Sequence, residues 1–266
     1  MPGVIRFEQQ AGVARVTLSH CARFNAMSRV MWRELRSVFE RIQCSSSVRC
    51  VVIEGENGNF CSGGDISEYS DFRFQEASLH DFHENDVWGG LRAMLDCDVP
   101  IVAQIEGNCM GAGVEIASCC DLRLSSVSAR FGAPIARLGF PMAPREAALV
   151  AREVGLVTAR QMLLEAAIFS ATDMKASGFL SRVMDDAQLA SEVQATALRI
   201  AALAPQAARL NKQTLRALIS PFAPVNRTQD AINSGIKEAP STYAYASSAE
   251  HREGIEAFLE KRKPVF

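Results

Sequence analysis

Polar and apolar positions change their period along the chain. Val4 to Phe7 and Val13 to Ser19 alternate as half-buried strands do, and Ala11-Gly12 between them predicts a hairpin turn. After Ser28 the apolar residues Met31, Leu35, Val38, Phe39 and Ile42 recur at helical spacing, with Ser28 as the cap. Cys50 to Glu54, Val99 to Ile105 and Asp121 to Ser125 are short apolar runs, each followed by glycine or small residues. Such runs read as covered strands, and their alternation with helical stretches predicts an α/β architecture. From Ser67 to Asp86 the texture turns aromatic and acidic, with Tyr69, Phe72, Phe74, His80, Phe82 and His83 among charges. A mobile or ligand-covering loop and helix is expected there. Beyond Gln188 strand signals stop, and Gln188 to Leu203, Pro205 to Ile219 and Ser247 to Glu260 read as three helices. The expected organisation is a core over residues 1–204 and a helical region over 205–266.

Composition narrows the classes. The 266 residues are 48% hydrophobic and 22% charged, a globular balance. A chain of this length buries roughly 70–75% of the surface its unfolded form exposes, so its core needs no staples. Lys+Arg of 28 against Asp+Glu of 30 gives a net charge of -2 and no basic footprint, so nucleic acid is not an expected partner. The eight cysteines form no C-x-x-C pair, which removes zinc-ribbon and thioredoxin readings. Reduced, mostly buried thiols in a cytoplasmic protein without a metal are expected. Met1 to Gln10 holds no apolar signal segment. The most apolar stretch, Val99 to Cys120, is interrupted by Pro100, Glu106, Asn108 and Glu115, so a strand and helix are expected rather than a membrane span.

Two glycine-rich turns and one acid carry the candidate chemistry. The first turn is Asn59 to Ile66, containing Cys61-Ser62-Gly63-Gly64-Asp65; the second is Gly107 to Glu115, opening an apolar helix. Glycines permit positive φ and close backbone approach to a ligand. N–H groups in such turns and at helix N-termini are unsatisfied and carry partial positive charge. Two such donors aimed at one point make an oxyanion hole. A dinucleotide fingerprint would need a third glycine where Ile116 stands, and a G-x-S-x-G elbow around Ser62 would need one where Phe60 stands. Taken singly, each turn also suits ordinary tight-turn chemistry, and Glu115 suits a first-turn acid favoured by the helix dipole.

Arg23-Phe24-Asn25-Ala26-Met27, Phe60 to Ile66, Gly107 to Glu115, Cys120-Asp121, Arg130 to Pro134, and Glu253-Gly254 through Lys261-Arg262 occur in this order. With them the chain resembles the enoyl-CoA hydratase/isomerase (crotonase) family over nearly its whole length. The resemblance implies a crotonase-type spiral of β-β-α turns and a C-terminal helical region that mediates trimerisation, as a homotrimer or a dimer of trimers. It also implies an acyl-CoA thioester substrate, with coenzyme A entering as part of it and no separate cofactor. By position, the thioester oxygen would sit between the N–H groups of Gly64 and Ala112, with Glu115 as acid/base. Arg23, Ala26, Ser62, Asp65, Ile66 and Ile135 would line the substrate, Asp65 also buttressing its turn. Phe258 and Lys261 would reach the CoA of a neighbouring subunit.

The chain departs from the family pattern at one place. Family hydratases carry a second glutamate just after the segment matching Phe131 to Pro134, and here Ile135 stands. Ile135 transfers no proton, whereas a carboxylate pair supplies two roles at one site. A single base suffices for proton transfer between C2 and C4 or for enolate formation. A hydrolase or decarboxylase of the same fold, or a non-catalytic thioester binder, are the alternatives. Replacement acids would come from Glu68, His80, His83, Glu84 or Asp86. Ala143 occupies the position where dienoyl-CoA isomerases of the family carry an aspartate.

Overall fold

The predicted hairpin opens the fold: β1 (Val4–Gln10) and β2 (Val13–Ser19) pair antiparallel across Ala11-Gly12. α1 (Arg29–Gln43) follows, and the Ser28 side chain accepts the Met31 N–H at 3.2 Å as its cap. Its buried stripe of Met31, Trp32, Leu35, Val38, Phe39 and Ile42 is the helical period read from the sequence. The computed structural model describes residues 2–219 and 244–266. They divide into two compact units, Met1–Leu198 and Arg199–Phe266.

In the first unit, β3 (Cys50–Gly55), β4 (Ile101–Ile105), β6 (Leu122–Ser126) and β9 (Arg182–Met184) add in parallel to β2, giving a sheet ordered β1-β2-β3-β4-β6-β9. Val51, Val52, Ile53, Ile101, Val102 and Ala103 are fully buried, as parallel strands covered on both faces must be. A second, smaller sheet joins β5 (Asn108–Met110), β7 (Arg130–Gly132) and β8 (Ile168–Ser170) in the order β5-β7-β8.

The register shows how the chain winds. Cys61 bridges Cys109, Cys109 faces Phe131, and Phe131 faces Phe169, so one row runs through successive turns of chain. Each turn passes from a strand of the large sheet to this row and then into helix: β4 to β5 to α4 (Ala112–Ser118), and β6 to β7 to α5 (Pro144–Val154). This is a β-β-α spiral.

Between the row and β4, the aromatic–acidic segment forms a 3-10 helix over Ile66–Asp71, α2 (Glu76–Asp81), a π-helical stretch over Phe82–Val87, and α3 (Trp88–Asp96). The unit is completed by α6 (Leu156–Arg160) and α7 (Ala171–Ala176), while α8 (Asp186–Ala201) runs through the division between units. The second unit contains α9 (Pro205–Ile219) and α10 (Ala249–Leu259). The stretch of the expected helical region over 220–243 lies outside the described residues. All eight cysteines are free, and six are buried.

Candidate active site

The two glycine-rich turns lie side by side. Cys61 N–H donates to the Asn108 carbonyl and Met110 N–H to the Cys61 carbonyl, both at 2.8 Å. Three residues beyond this paired Cys61 and Cys109 come Gly64 and Ala112. On the other side, Met27 N–H donates to the Gly63 carbonyl at 2.8 Å and Asp65 N–H to the Met27 carbonyl at 2.9 Å. Those bonds bridge Met27 to Gly64 without using the Gly64 N–H. Ala112 is the first residue of α4, where no intrahelical acceptor exists for its N–H. A β-carbon at Gly113 would lie 2.7 Å from the Cys61 carbonyl oxygen, so glycine is what lets the turns approach.

Asp65 fixes the first turn locally. Its Oδ1 accepts from Ser67 N–H at 3.0 Å, from Ser67 Oγ at 2.7 Å and from the Arg23 guanidinium at 3.4 Å. Ser62 Oγ donates to the Arg23 carbonyl at 2.7 Å.

Both turns open onto a cavity of about 310 Å³, at the small end of ligand sites. Of the residues marked in the sequence, Ser62, Gly64, Ile66, Ala112, Glu115 and Ile135 line it. Ala26 is buried outside the lining, and Arg23 and Asp65 act on the turn rather than on the cavity wall. Phe258 and Lys261 belong to the second unit, where Phe258 is 81% exposed and Lys261 N–H donates to the Phe258 carbonyl at 3.3 Å.

Glu115 faces this cavity from α4 with a carboxyl that makes no hydrogen bond to the described residues. Burial, and secondarily the charge of Glu146, push it up from 4.5 to about 8. Glu115 therefore holds its proton at neutral pH. Cys61 is driven to about 12 by burial, which leaves it a packing residue and not a thiolate nucleophile. The Tyr69 hydroxyl, also raised to about 12 chiefly by burial, sits against Gly64. The Arg73 guanidinium lies 4.4 Å from the Tyr69 ring centroid and 3.8 Å from that of Phe140; Arg73 lines the cavity and has no carboxylate partner among the described residues.

The candidate replacement acids separate cleanly. Glu68 accepts from the Arg29 N–H at 2.9 Å, Asp86 pairs with Arg29 and Arg33 at 2.6 Å, and Glu84 pairs with Arg145 at 2.8 Å. None of these, nor His80, lines the cavity. His83 does, and its Nδ1 lies 3.1 Å from Glu146 Oε1. Glu146, on α5, is only 2% exposed. Sequence reasoning missed Glu146, because Pro144-Arg145-Glu146 reads as a first helical turn in which an acid is ordinary. Arg73, Arg137 and Phe140 were likewise unmarked. Among the described residues no cluster suited to a metal ion occurs.

A β-β-α spiral with two apposed glycine turns and a glutamate, Glu115, on the cavity they share defines a class of proteins, and comparison with known proteins agrees. The sequence profile of the enoyl-CoA hydratase/isomerase family matches residues 8–266. "Probable enoyl-CoA hydratase echA8" of Mycobacterium bovis is 28% identical, over 99% of this chain and 96% of its own. The short-chain-enoyl-CoA hydratase of Clostridium acetobutylicum is 28% identical over 96% of this chain and 94% of its own. Among solved structures, an enoyl-CoA hydratase/carnithine racemase from Magnetospirillum magneticum superposes with a TM-score of 0.90 at 35% identity, covering 99% of this chain and 95% of that one. The chain belongs to the enoyl-CoA hydratase/isomerase family and has the crotonase fold. It is an acyl-CoA-processing enzyme of that type. No helix among the described residues is long and apolar enough to cross a membrane.

Proposed function

We propose that the cavity holds the thioester of an enoyl-CoA, with its carbonyl oxygen between the N–H groups of Gly64 and Ala112 and Glu115 moving a proton at the acyl carbons. The observation that carries this reading is the Cys61–Cys109 pairing, which brings together two turns whose Gly64 and Ala112 N–H groups have no acceptor among the described residues and which line the same cavity as Glu115. As charge moves from the double bond onto the thioester oxygen, each donor contributes roughly 3–4 kcal/mol of enolate stabilisation. Glu115, protonated at neutral pH, delivers its proton to Cα. Coenzyme A enters as part of the substrate, and these steps use no other cofactor.

Assembly as a homotrimer or dimer of trimers in the cytoplasm belongs to the same proposal. In the second unit Leu215, Leu218, Phe258 and Leu259 are 61%, 77%, 81% and 72% exposed, apolar surface that an oligomer would cover. Light scattering on the purified protein tests this, a monomer mass counting against it.

The test of the chemistry is hydration of crotonyl-CoA, followed by loss of the conjugated enoyl absorbance. Glu115→Gln is expected to lose roughly 10²–10⁴-fold. Equal turnover by both proteins overturns the role of Glu115.

A further inference from the structure

Adding water across a double bond moves two protons, one onto Cα and one off the water. Glu115 accounts for the first, and Ile135 accounts for none. The other ionisable side chains of the cavity wall are Tyr69, Arg73, His83 and Arg137. Guanidiniums stay protonated, and a phenol raised to about 12 does not take a proton at neutral pH. His83 remains.

Its surroundings are built for proton transfer. A carboxylate only accepts hydrogen bonds, so the bond to Glu146 places the proton of a neutral His83 on Nδ1 and the lone pair on Nε2. Glu146 is buried, and His83 is its hydrogen-bond partner. Their elements are distinct: Glu146 comes from α5 and His83 from the π-helical stretch over Phe82–Val87, a widened turn of the kind often found at functional sites. Glu146 is also close enough to Glu115 to raise it. Glu115 and His83 thus line one cavity, and Glu146 holds His83 from a third element.

We propose that His83, positioned by Glu146, is the second acid–base residue of this site and the proton acceptor for the attacking water. The proposal rests on the enoyl-CoA reading above. The water oxygen bonds to Cβ while its O–H bond breaks and the proton passes to His83 Nε2. The π electrons move to the thioester enolate, and Cα takes the Glu115 proton. The imidazolium, stabilised by Glu146, then returns a proton to the Glu115 carboxylate through water, so the site is reset with one H and one OH added.

The experiment measures two reactions in D2O: hydration of crotonyl-CoA, and exchange of the Cα hydrogens of butyryl-CoA, which needs Glu115 but no attacking water. His83→Asn keeps a donor for Glu146 and cannot accept a proton. It is expected to lower the hydration kcat about 100-fold or more with KM within about threefold, and to slow exchange by less than about tenfold. Glu146→Gln is expected to lower kcat about tenfold with KM unchanged, and to add little in the His83→Asn background. His83→Gln is measured beside His83→Asn, so that one poorly folded variant does not decide the result. Hydration near the wild-type rate in a folded His83 variant overturns the proposal. So does wild-type protein that exchanges but does not hydrate. A full Glu146→Gln effect in the His83→Asn background overturns the role of Glu146. Wild-type protein that does neither reaction overturns the enoyl-CoA reading itself.

Discussion

The Tyr69 hydroxyl lies so close to Gly64 that any β-carbon at position 64 would collide with it, and the ring carbon that bears the hydroxyl would be only 3.2 Å away. Gly64 is thus held by space as well as by backbone bonding. Gly64→Ala is expected to displace Tyr69 or the turn, costing roughly 1–3 kcal/mol of stability and a larger factor in kcat/KM. Removing the hydroxyl with Tyr69→Phe in the Gly64→Ala background should recover part of the lost melting temperature. An unchanged melting temperature and kcat/KM for Gly64→Ala would show that the neighbours give way freely.

Glu115 predicts a pH dependence of both activity and stability. In the proposed mechanism it must carry a proton, so hydration should fall as pH rises through about 8. Tyr69, Arg73, His83 and Arg137 share its cavity and Glu146 lies behind His83, so the descending limb is assigned by its absence in Glu115→Gln. For stability, the folded carboxyl titrates near 8 against 4.5 unperturbed, so the native state binds the extra proton between those values. Stability from this group is complete below about 4.5 and is lost as pH rises towards 8. Glu115→Gln should therefore raise the melting temperature by several degrees at pH 9 and change it little at pH 4.5. The opposite order would contradict a raised carboxyl.

Much of the architecture is legible in the sequence because its causes are local. Ser28 caps a helix with a clean apolar stripe, Ala11-Gly12 closes a hairpin, and the unbroken runs at Cys50 and Val99 lead into central strands. The two glycine turns are equally visible as glycine-rich segments, although the demand that Gly113 answers, room for the Cys61 carbonyl of the other turn, is not local. What the sequence hides is convergence. Glu146 lies 63 positions from His83, and nothing near Pro144 distinguishes a buried acid from an exposed one. Likewise Asp86 and His83 sit three residues apart with similar neighbours, yet one is consumed by two arginines while the other reaches the cavity. Only the π-helical turn between α2 and α3 sorts them.

Asp86 anchors that turn. It is 4% exposed and pairs with both Arg29 and Arg33 of α1, and the Arg29 guanidinium lies 4.9 Å from the Phe72 ring centroid. Removing the carboxylate takes the ion-pair partner from Arg33 and leaves Arg29 with only the exposed Asp81, 3.0 Å away. Asp86→Ala is expected to destabilise the protein by roughly 1–3 kcal/mol, the range for losing hydrogen bonds to a charged group, because the arginines left behind are partly exposed. Because His83 is carried on the same turn, hydration should fall while the melting temperature still shows a folded protein. A variant that is destabilised but fully active would separate the anchor from the site.

Arg123 holds the C-terminal end of α4, the helix that bears Glu115. Only 8% exposed, it donates from Nε to the Phe179 carbonyl at 2.6 Å, and from one terminal nitrogen to the Ala117 carbonyl at 3.1 Å and the Cys120 carbonyl at 2.6 Å. Its other terminal nitrogen reaches Glu153 at 3.2 Å. The Ala117 and Cys120 carbonyls lie at the C-terminal end of the helix that bears Glu115, where a cation is favoured, and the Ala117 carbonyl also accepts the Cys120 N–H at 3.1 Å. Arg123→Met keeps the apolar stem but leaves these carbonyls and Glu153 without the guanidinium, an expected cost of roughly 3 kcal/mol. Arg123→Lys restores charge but not the planar fork, so it should recover less than half of that loss. Thermal or urea melts of the three proteins decide it: a lysine variant as stable as wild type would mean that charge alone, and not the fork of donors, holds the end of α4.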